Sequence, residues 1–345
     1  MKNENIESHK NLLSKEYLNN LITLKTLDIP IEVISTGNLQ LDNILGCKGI
    51  PKGRITEIYG NESCGKTTLA LQIAKEATNN NQKVLFLDLE ASLDLNYVKG
   101  IGINLDNFYV AQAKNGELAF SLIEDALEKK SFDLIVVDSV AAMISELEYE
   151  TKMESANLLG SHARLMSRGL RRIQLPLSQS QTAVIFINQV REKIGVLFGN
   201  PETTTGGKAL KFFSSLRIEV KKADLIKNGT DKIGIKSKIT VIKNKLGKPY
   251  GTCFINIYFG EGFDEIADLL DYAIQTNIIK KSGSWYSHDE KNIAQGAKQL
   301  KQYAIDNPEW YAIIKENVLN LLNQTSETNR EEIISSLENF DEEVE

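Results

Sequence analysis

Short apolar runs with little polar alternation recur along the middle of the chain: Arg54–Tyr59 (RITEIY), Lys83–Leu89 (KVLFLDL), Asp133–Val137 (DLIVV) and Ala183–Ile187 (AVIFI). Three more follow, Leu216–Val220 (LRIEV), Ile239–Ile242 (ITVI) and Cys253–Phe259 (CFINIYF). The first few lack a polar face, as expected of parallel strands covered by helices on both sides. Between them, Thr67–Ala77 and Glu117–Lys129 place apolar residues at helical spacing. The alternation predicts an α/β fold over residues 31–262, with a mostly parallel central sheet flanked by helices. Past residue 262 the strand pattern fades. Helical patterns in Asp264–Gln275, Gly296–Ile305 and Pro308–Leu322 predict a small helical C-terminal domain over 263–324. Ahead of the core, Leu12, Leu13, Leu18, Leu21 and Leu24 suggest a short helical arm over 1–30, closed by Pro30.

The chain has 345 residues, 42% hydrophobic and 25% charged, which is enough apolar material for a sizeable core. Its three cysteines, Cys47, Cys64 and Cys253, are too scattered for a disulfide framework or a zinc site. No apolar run approaches the roughly 18 residues of a membrane-spanning helix, so no membrane partner is expected. The opening MKNENIESHKNLLSKEYLNN has no apolar stretch or small-residue cleavage site of a secretory leader, and a reducing cytosol is the simplest compartment. The net charge of −6 is uneven: Ser326–Glu345 holds eight acids against one base, Arg330, leaving the rest near +1. A disordered acidic tail is therefore expected over 325–345. A near-neutral body does not exclude nucleic acid; local basic patches decide that question.

Gly60-Asn61-Glu62-Ser63-Cys64-Gly65-Lys66-Thr67 is a full match to the phosphate-loop pattern GxxxxGK(S/T), placed between a predicted strand and a predicted helix. The glycines let backbone N–H groups converge on phosphate oxygens, and the helix N-terminus adds favourable partial charge. Lys66 should reach the β- and γ-phosphates of ATP, and the Thr67 hydroxyl should ligate Mg²⁺. Phosphoryl transfer also needs a metal-side carboxylate and a group that orients the attacking water. Asp138, which ends FDLIVVD, suits the first role. Glu90, just after KVLFLDL, suits the second, with Asp88 as a rival that spacing alone does not dismiss. Asn188-Gln189 closes AVIFI; an amide there could sense a γ-phosphate, although alone the pair reads more readily as a loop amide. The next segment, Val190–Gly207 (VREKIGVLFGNPETTTGG), mixes Arg191 and Lys193 with threonines, glycines and the apolar Ile194, Val196, Leu197 and Phe198. Loops that contact phosphates and wedge between bases have this make-up, and so do some solvated loops.

From about Ile34 to Ile305 the sequence resembles the bacterial RecA recombinases, which are DNA strand-exchange ATPases. The blocks that carry the resemblance are ISTGNLQLDNILG, GRITEIYGNESCGKTTLAL, FLDLEASLD, LIVVDSVAA, FINQVREKIGVLFGNPETTTGGKALKFF, VIKNK, YFGEG and SGSWYS. The stretch around FGNPETTTGGKALKF is far more specific than a phosphate loop. The resemblance implies a RecA-like ATPase core and a set of roles. Glu90 matches the carboxylate that activates water, and Asp138 the Mg²⁺-side acid. Gln189 matches the γ-phosphate sensor. ATP would be held by residues 60–67 with Thr68, and its adenine by Asp94 and Tyr97. Lys243 and Lys245, in VIKNK, match lysines that reach the ATP of the neighbouring subunit. Ser145–Gly160 and Val190–Gly207 match the two DNA-binding loops, the second supplying Arg191, Lys193, Ile194, Asn200, Thr203, Gly206 and Gly207. Arg164 and Arg171 match arginines at the DNA face, and Phe212 and the N-terminal arm match parts of the subunit interface.

The implied function is an ATP- and Mg²⁺-dependent homologous recombinase that forms a helical filament on single-stranded DNA and pairs it with homologous duplex. Its partners would be single- and double-stranded DNA and further copies of itself, with a damage-response repressor left open. Two alternatives share parts of the pattern: a hexameric helicase motor, which lacks the GNPETTTGG block, and a DNA coat in which ATP is structural. The chain also departs from the family. Cys64 stands where Ser is usual, Glu192 where Met is frequent, the first DNA loop holds one extra residue, and the N-terminal arm is short.

Overall fold

All seven apolar runs form strands in the computed structural model, which describes residues 31–151, 160–192 and 202–322. In chain order the strands are β1 (Val33–Ile34), β2 (Ile50–Pro51), β3 (Ile55–Gly60), β4 (Val84–Asp88), β5 (Phe108–Ala111), β6 (Leu134–Asp138) and β7 (Ala183–Glu192). Then come β8 (Glu202–Thr204), β9 (Leu216–Asn228), β10 (Asp231–Asn244), β11 (Thr252–Tyr258) and β12 (Gly262–Phe263). The main sheet runs β12-β11-β10-β9-β3-β7-β6-β4-β5, with β8 paired to β7 off this path. Pairing is parallel from β9 through β3, β7, β6 and β4 to β5, and antiparallel from β9 to β12. The sheet is therefore mixed, with its parallel half where the chemistry is expected.

The helices are α1 (Leu39–Ile44), α2 (Lys66–Asn79), α3 (Leu95–Ile101), α4 (Gly116–Glu128), α5 (Glu146–Glu150), α6 (Ser161–Ser178) and α7 (Ala209–Phe213). Strand period sorts the core into two layers. Leu134 and Val136 turn one way and pack with Phe86, Ile58 and the apolar stripe of α2. Ile135 and Val137 turn the other way, onto Leu85, Leu87, Phe186 and the stripes of α4 and α6. Each fully buried side chain of this size contributes roughly 1.5–3 kcal/mol, so the two layers hold the parallel strand ends rigidly. β3, β4 and β6 are buried along their whole length, which is why their sequences are apolar runs interrupted by only a few polar residues.

The C-terminal segment has its own core of Leu269, Leu270, Ala273, Ile279, Tyr286, Ile314 and Val318 among others. The expected helices are there, as α8 (Glu265–Gln275), α9 (Ala297–Asp306) and residues 308–322. Between them lies a three-stranded antiparallel meander that helical periodicity did not predict: β13 (Lys280–Ser282), β14 (Trp285–His288) and β15 (Lys291–Gln295). The purely helical expectation is corrected accordingly. The N-terminal arm and the acidic tail lie outside the described residues. Among the described residues, no helix is long and apolar enough to cross a membrane.

Candidate nucleotide and DNA site

Four parallel strands bring their carboxyl ends together, and the candidates lie at or beside those ends. Register pairs Gly60 of β3 with Gln189 of β7, and Asp88 of β4 with Asp138 of β6. Ligand sites in such sheets form at the carboxyl ends of the strands. The phosphate loop leaves β3 at Gly60 and enters α2 at Lys66, with Gly65 at the N-cap in the left-handed region at φ 96°. A Cβ added at Gly60 would lie 2.0 Å from the Val220 carbonyl oxygen, so space requires that glycine, while at Gly65 the left-handed backbone favours glycine and a Cβ would also crowd Ile257 Cδ1 at 2.4 Å. Ser237 Oγ donates to the Cys64 carbonyl (2.8 Å), fixing the loop from β10. Asn61, Glu62 and Ser63 lie exposed at its rim.

Lys66 is buried, and its Nζ donates to the Asn61 carbonyl at 2.6 Å, an acceptor inside the loop that a phosphate oxygen could replace. Cys64 is buried and its Sγ donates to the same carbonyl at 2.9 Å. Burial pushes that thiol's pKa up in spite of the Lys66 charge, so the departure from serine adds a weak donor and not a reactive thiolate. All three cysteines are free.

Thr67 Oγ1 donates to Asp138 Oδ2 at 2.7 Å, joining the two residues expected at the metal. Loss of solvation raises the Asp138 carboxyl to about 6; Thr67 lowers it, and the Glu90 and Asp88 charges raise it further. Three carboxylates facing one ammonium leave negative charge that a divalent cation would neutralise, so Thr67 and Asp138 fit Mg²⁺. Among the described residues there is no cluster of three or more His, Cys, Asp or Glu that could hold a metal. Mg²⁺ does not need one, because it takes one or two protein oxygens and fills its shell with water and phosphate.

The two rival carboxylates have different surroundings. Asp88 is buried, and its oxygens accept from the Ser92 N–H (3.2 Å) and the Leu93 N–H (3.1 Å), closing the turn after β4. Glu90 is exposed to the cleft, where its Oε1 accepts from Ser139 Oγ and from Gln189 Nε2 at 3.3 Å. Ser139 was not singled out from sequence; its position directly after Asp138 at the strand end was the available signal. Asp94 is exposed and caps α3 by accepting from the Tyr97 N–H at 2.8 Å, while the Tyr97 hydroxyl meets Thr68 Oγ1 at 2.6 Å. Asp94, Tyr97 and Thr68 thus sit together beside α2.

Beyond Gln189 the expected second loop begins as a ribbon. β7 continues to Glu192 and pairs antiparallel with β8, Val190 with Thr204 and Arg191 with Thr203. The stem of this segment is therefore ordered strand and not loop. Arg191 is exposed and Thr203 half-buried, and Gly206 (φ 79°) and Gly207 (φ 77°) turn the chain into α7. Lys193, Ile194 and Asn200 lie outside the described residues, as do residues 152–159 of the first loop, of which α5 forms the start. Arg164 and Arg171 are exposed on α6, with Arg171 Nε on the Ser167 carbonyl at 3.0 Å. At the start of α6, His162 Nε2 is buried without a partner, and desolvation lowers its pKa. Lys243 and Lys245 are not at the phosphate loop. Lys243 Nζ donates to the carbonyls of Lys211 (2.7 Å) and Phe212 (3.1 Å), Lys245 is exposed, and Phe212 is 70% exposed.

Two family models cover nearly the whole chain: RecA N-terminal domain over residues 5–264 and RecA C-terminal domain over 267–323. The chain belongs to the RecA family. It is similar to Protein RecA of Ureaplasma parvum serovar 3, 54% identical over 296 residues, which cover 86% of this chain and 88% of that one. Protein RecA of Malacoplasma penetrans is 50% identical over 295 residues (86% and 89%), and that of Aquifex pyrophilus 46% over 299 residues (86% of each). A RecA family member is a DNA-dependent ATPase of recombinational repair; this chain binds nucleotide and DNA and assembles with copies of itself.

Proposed function

We propose that the chain polymerises as a helical filament on single-stranded DNA, with ATP and Mg²⁺ held between neighbouring subunits, and exchanges strands with a homologous duplex. The observation that carries this is the meeting of the phosphate loop, Asp138, Glu90 and Gln189 at one sheet edge, with Gln189 next to the β7–β8 ribbon.

In this reading the loop N–H groups and Lys66 bind the triphosphate, and Tyr97 and Asp94 flank the adenine. Mg²⁺, held by Thr67 and Asp138, would supply charge neutralisation at the phosphate oxygens. Glu90 orients the attacking water and takes up its proton, with its own side chain aligned by Ser139 and Gln189. Gln189 would exchange its Glu90 contact for the γ-phosphate and pass the difference into the ribbon. Arg164, Arg171, Arg191, Thr203, Gly206 and Gly207 contact the DNA, together with Lys193, Asn200 and the apolar Ile194. Lys243, Lys245 and Phe212 act across the subunit interface. The proposed setting is the cytosol, and a damage-response repressor is a further proposed partner of the filament.

A strand-exchange assay with circular single-stranded and linear duplex DNA tests the reading. Lys66→Ala should abolish ATP-dependent exchange, because Lys66 is the buried ammonium inside the phosphate loop. Normal exchange by that variant would remove the nucleotide site from the mechanism.

A further inference from the structure

Two buried charges inside apolar runs have no part in the site described so far: Glu57 in RITEIY and Arg217 in LRIEV. Glu57 is fully buried and Arg217 nearly so. β3 and β9 bring them into register, Arg217 Nε lies 2.5 Å from Glu57 Oε2, and the guanidinium sits 4.5 Å from the centroid of the Tyr59 ring. Such a pair is a poor device for stability, since apolar residues of similar volume often serve as well or better. Its connections on either side point to another use.

On one side, Glu57 Oε1 accepts from Asn188 Nδ2 at 2.9 Å. Asn188 is fully buried, and its oxygen accepts from the Gln189 N–H (2.9 Å) and from Thr205 Oγ1 (2.5 Å). Its amide also donates to the Thr205 carbonyl at 3.2 Å. On the other side, β9 and β10 bring Arg217 into register with Lys243. The Lys243 ammonium has a lowered pKa, first from burial and then from the charges of Lys245 and Arg217, so Arg217 lies within electrostatic reach of it. A row of polar side chains thus crosses four adjacent strands, β10-β9-β3-β7, from Lys243 to Gln189.

We infer that Glu57 and Arg217 couple the lysine pair Lys243/Lys245 to Gln189 and to the base of the second DNA loop at Thr205. The inference rests on the reading that those lysines serve a neighbour's nucleotide. Lys243 has two alternative sets of acceptors. Without a neighbour it holds the carbonyls that end α7, the helix reached from Gly206 and Gly207. An adjoining phosphate would draw it off, releasing that helix end and removing a like charge from beside Arg217. Arg217 is tied to Glu57, and Glu57 divides its two oxygens between Arg217 and Asn188. A shift of Arg217 is therefore passed to the Asn188 amide, which bonds the Gln189 N–H and the hydroxyl and carbonyl of Thr205. Glu57 and Arg217 are positioning residues on this account, acting through others.

The test removes both charges together, Glu57→Gln with Arg217→Met, so that no buried charge is left alone. Melting, binding of a fluorescent nucleotide without DNA, and ATP turnover with and without single-stranded DNA are measured on the full chain. Melting and DNA-free nucleotide binding should stay close to the parent. Stimulation of turnover by DNA should fall by about 5–150-fold, the usual span of a coupling between sites. Stimulation equal to the parent's overturns the inference, and so does a parallel loss of melting, binding and stimulation, which a structural role alone would give. If the double variant does not fold, Arg217→Lys decides in the same way, since it keeps the charge and loses the Nε bond and the ring contact. Lys243→Ala is run beside it. Stimulation surviving in Lys243→Ala overturns the reading of the lysines, whereas its loss there beside an intact double variant overturns the coupling alone.

Discussion

Replacing Glu90 and Asp88 one at a time tests the roles proposed for them, because Glu90 is exposed and bonded to Ser139 and Gln189 while Asp88 is buried and bonded to the backbone of a turn. Both hydrogen bonds to Glu90 fall on Oε1, from Ser139 Oγ and Gln189 Nε2. Glu90→Gln keeps an oxygen there for both donors and removes only the charge and the basicity, on a side chain exposed to the cleft. Stability should therefore be unchanged. A lost general base costs about 10²–10⁴-fold in turnover, which is about 2.7–5.4 kcal/mol on the barrier at 1.36 kcal/mol per decade. Asp88→Asn has the reverse profile. Each Asp88 oxygen accepts a separate backbone N–H in a buried turn, and an amide nitrogen would face one of those donors. One buried bond is lost, costing about 1–3 kcal/mol, seen as melting a few degrees lower, with turnover by the folded fraction little changed.

The assay is DNA-stimulated phosphate release at saturating ATP, with melting curves taken on the same preparations. Nucleotide affinity should hold in Glu90→Gln, and its filaments should persist on DNA. The reasoning is refuted by near-parental turnover in Glu90→Gln together with an inactive Asp88→Asn that melts normally. That pair of results would hand the water-orienting role to Asp88.

Lys243→Ala with Lys245→Ala should lose DNA-stimulated hydrolysis while isolated subunits still bind ATP, and mixing with Glu90→Gln should restore turnover at mixed interfaces; failure of isolated subunits to bind ATP would place both lysines in their own subunit's site. Asp268, buried with its carboxyl raised to about 8 chiefly by lost solvation, holds a proton in the fold that the unfolded chain, at 3.8, has already released. Its contribution to stability is thus full below about pH 4 and declines as pH rises towards about 8; Asp268→Asn should flatten the fall of melting temperature over that window, and an unchanged slope would refute it. Deleting Ser326–Glu345, which carries a net −7 by eight acids and one base, should speed duplex capture and lower the Mg²⁺ needed for strand exchange. That effect should fade with salt as screening shortens to about 8–10 Å, and superimposable Mg²⁺ titrations at low salt would leave the tail a passive segment.

Which parts of this molecule were legible in its sequence follows from burial. RITEIY, KVLFLDL and DLIVV announce strands because β3, β4 and β6 are covered on both faces. β5 left no such mark: it is a four-residue edge strand with Tyr109 and Val110 exposed. Nor did β13, whose Lys-Lys-Ser is exposed throughout, or β8, whose Glu-Thr-Thr is held by the β7 ladder and not by an apolar face. The phosphate loop was legible because backbone geometry dictates its glycines. The choice between Asp88 and Glu90 was not, since both flank the end of one apolar run and only the turn at Ser92 and Leu93 shows which carboxylate is committed to the backbone. Glu57 and Arg217 did leave a sign, charged residues inside apolar runs, but nothing in the spacing says that β3 and β9 are neighbours.

That adjacency shapes how the site can respond. β7 is clamped along its length, by β3 from Val184 to Gln189 and by β6 from Ala183 to Phe186, and only past Gln189 does it leave the main sheet to pair with β8. A strand held so firmly does not bend under one hydrogen bond of about 0.5–1.5 kcal/mol net. A change at Gln189 must therefore appear where the clamp ends, in the ribbon one residue further on. The Asn188 amide, bonded to both Gln189 and Thr205, closes that ribbon from below. Under the proposed function, nucleotide state and the second DNA loop would share this one hinge point, and a substitution that loosens Asn188 should blur the response to ATP without touching either ligand.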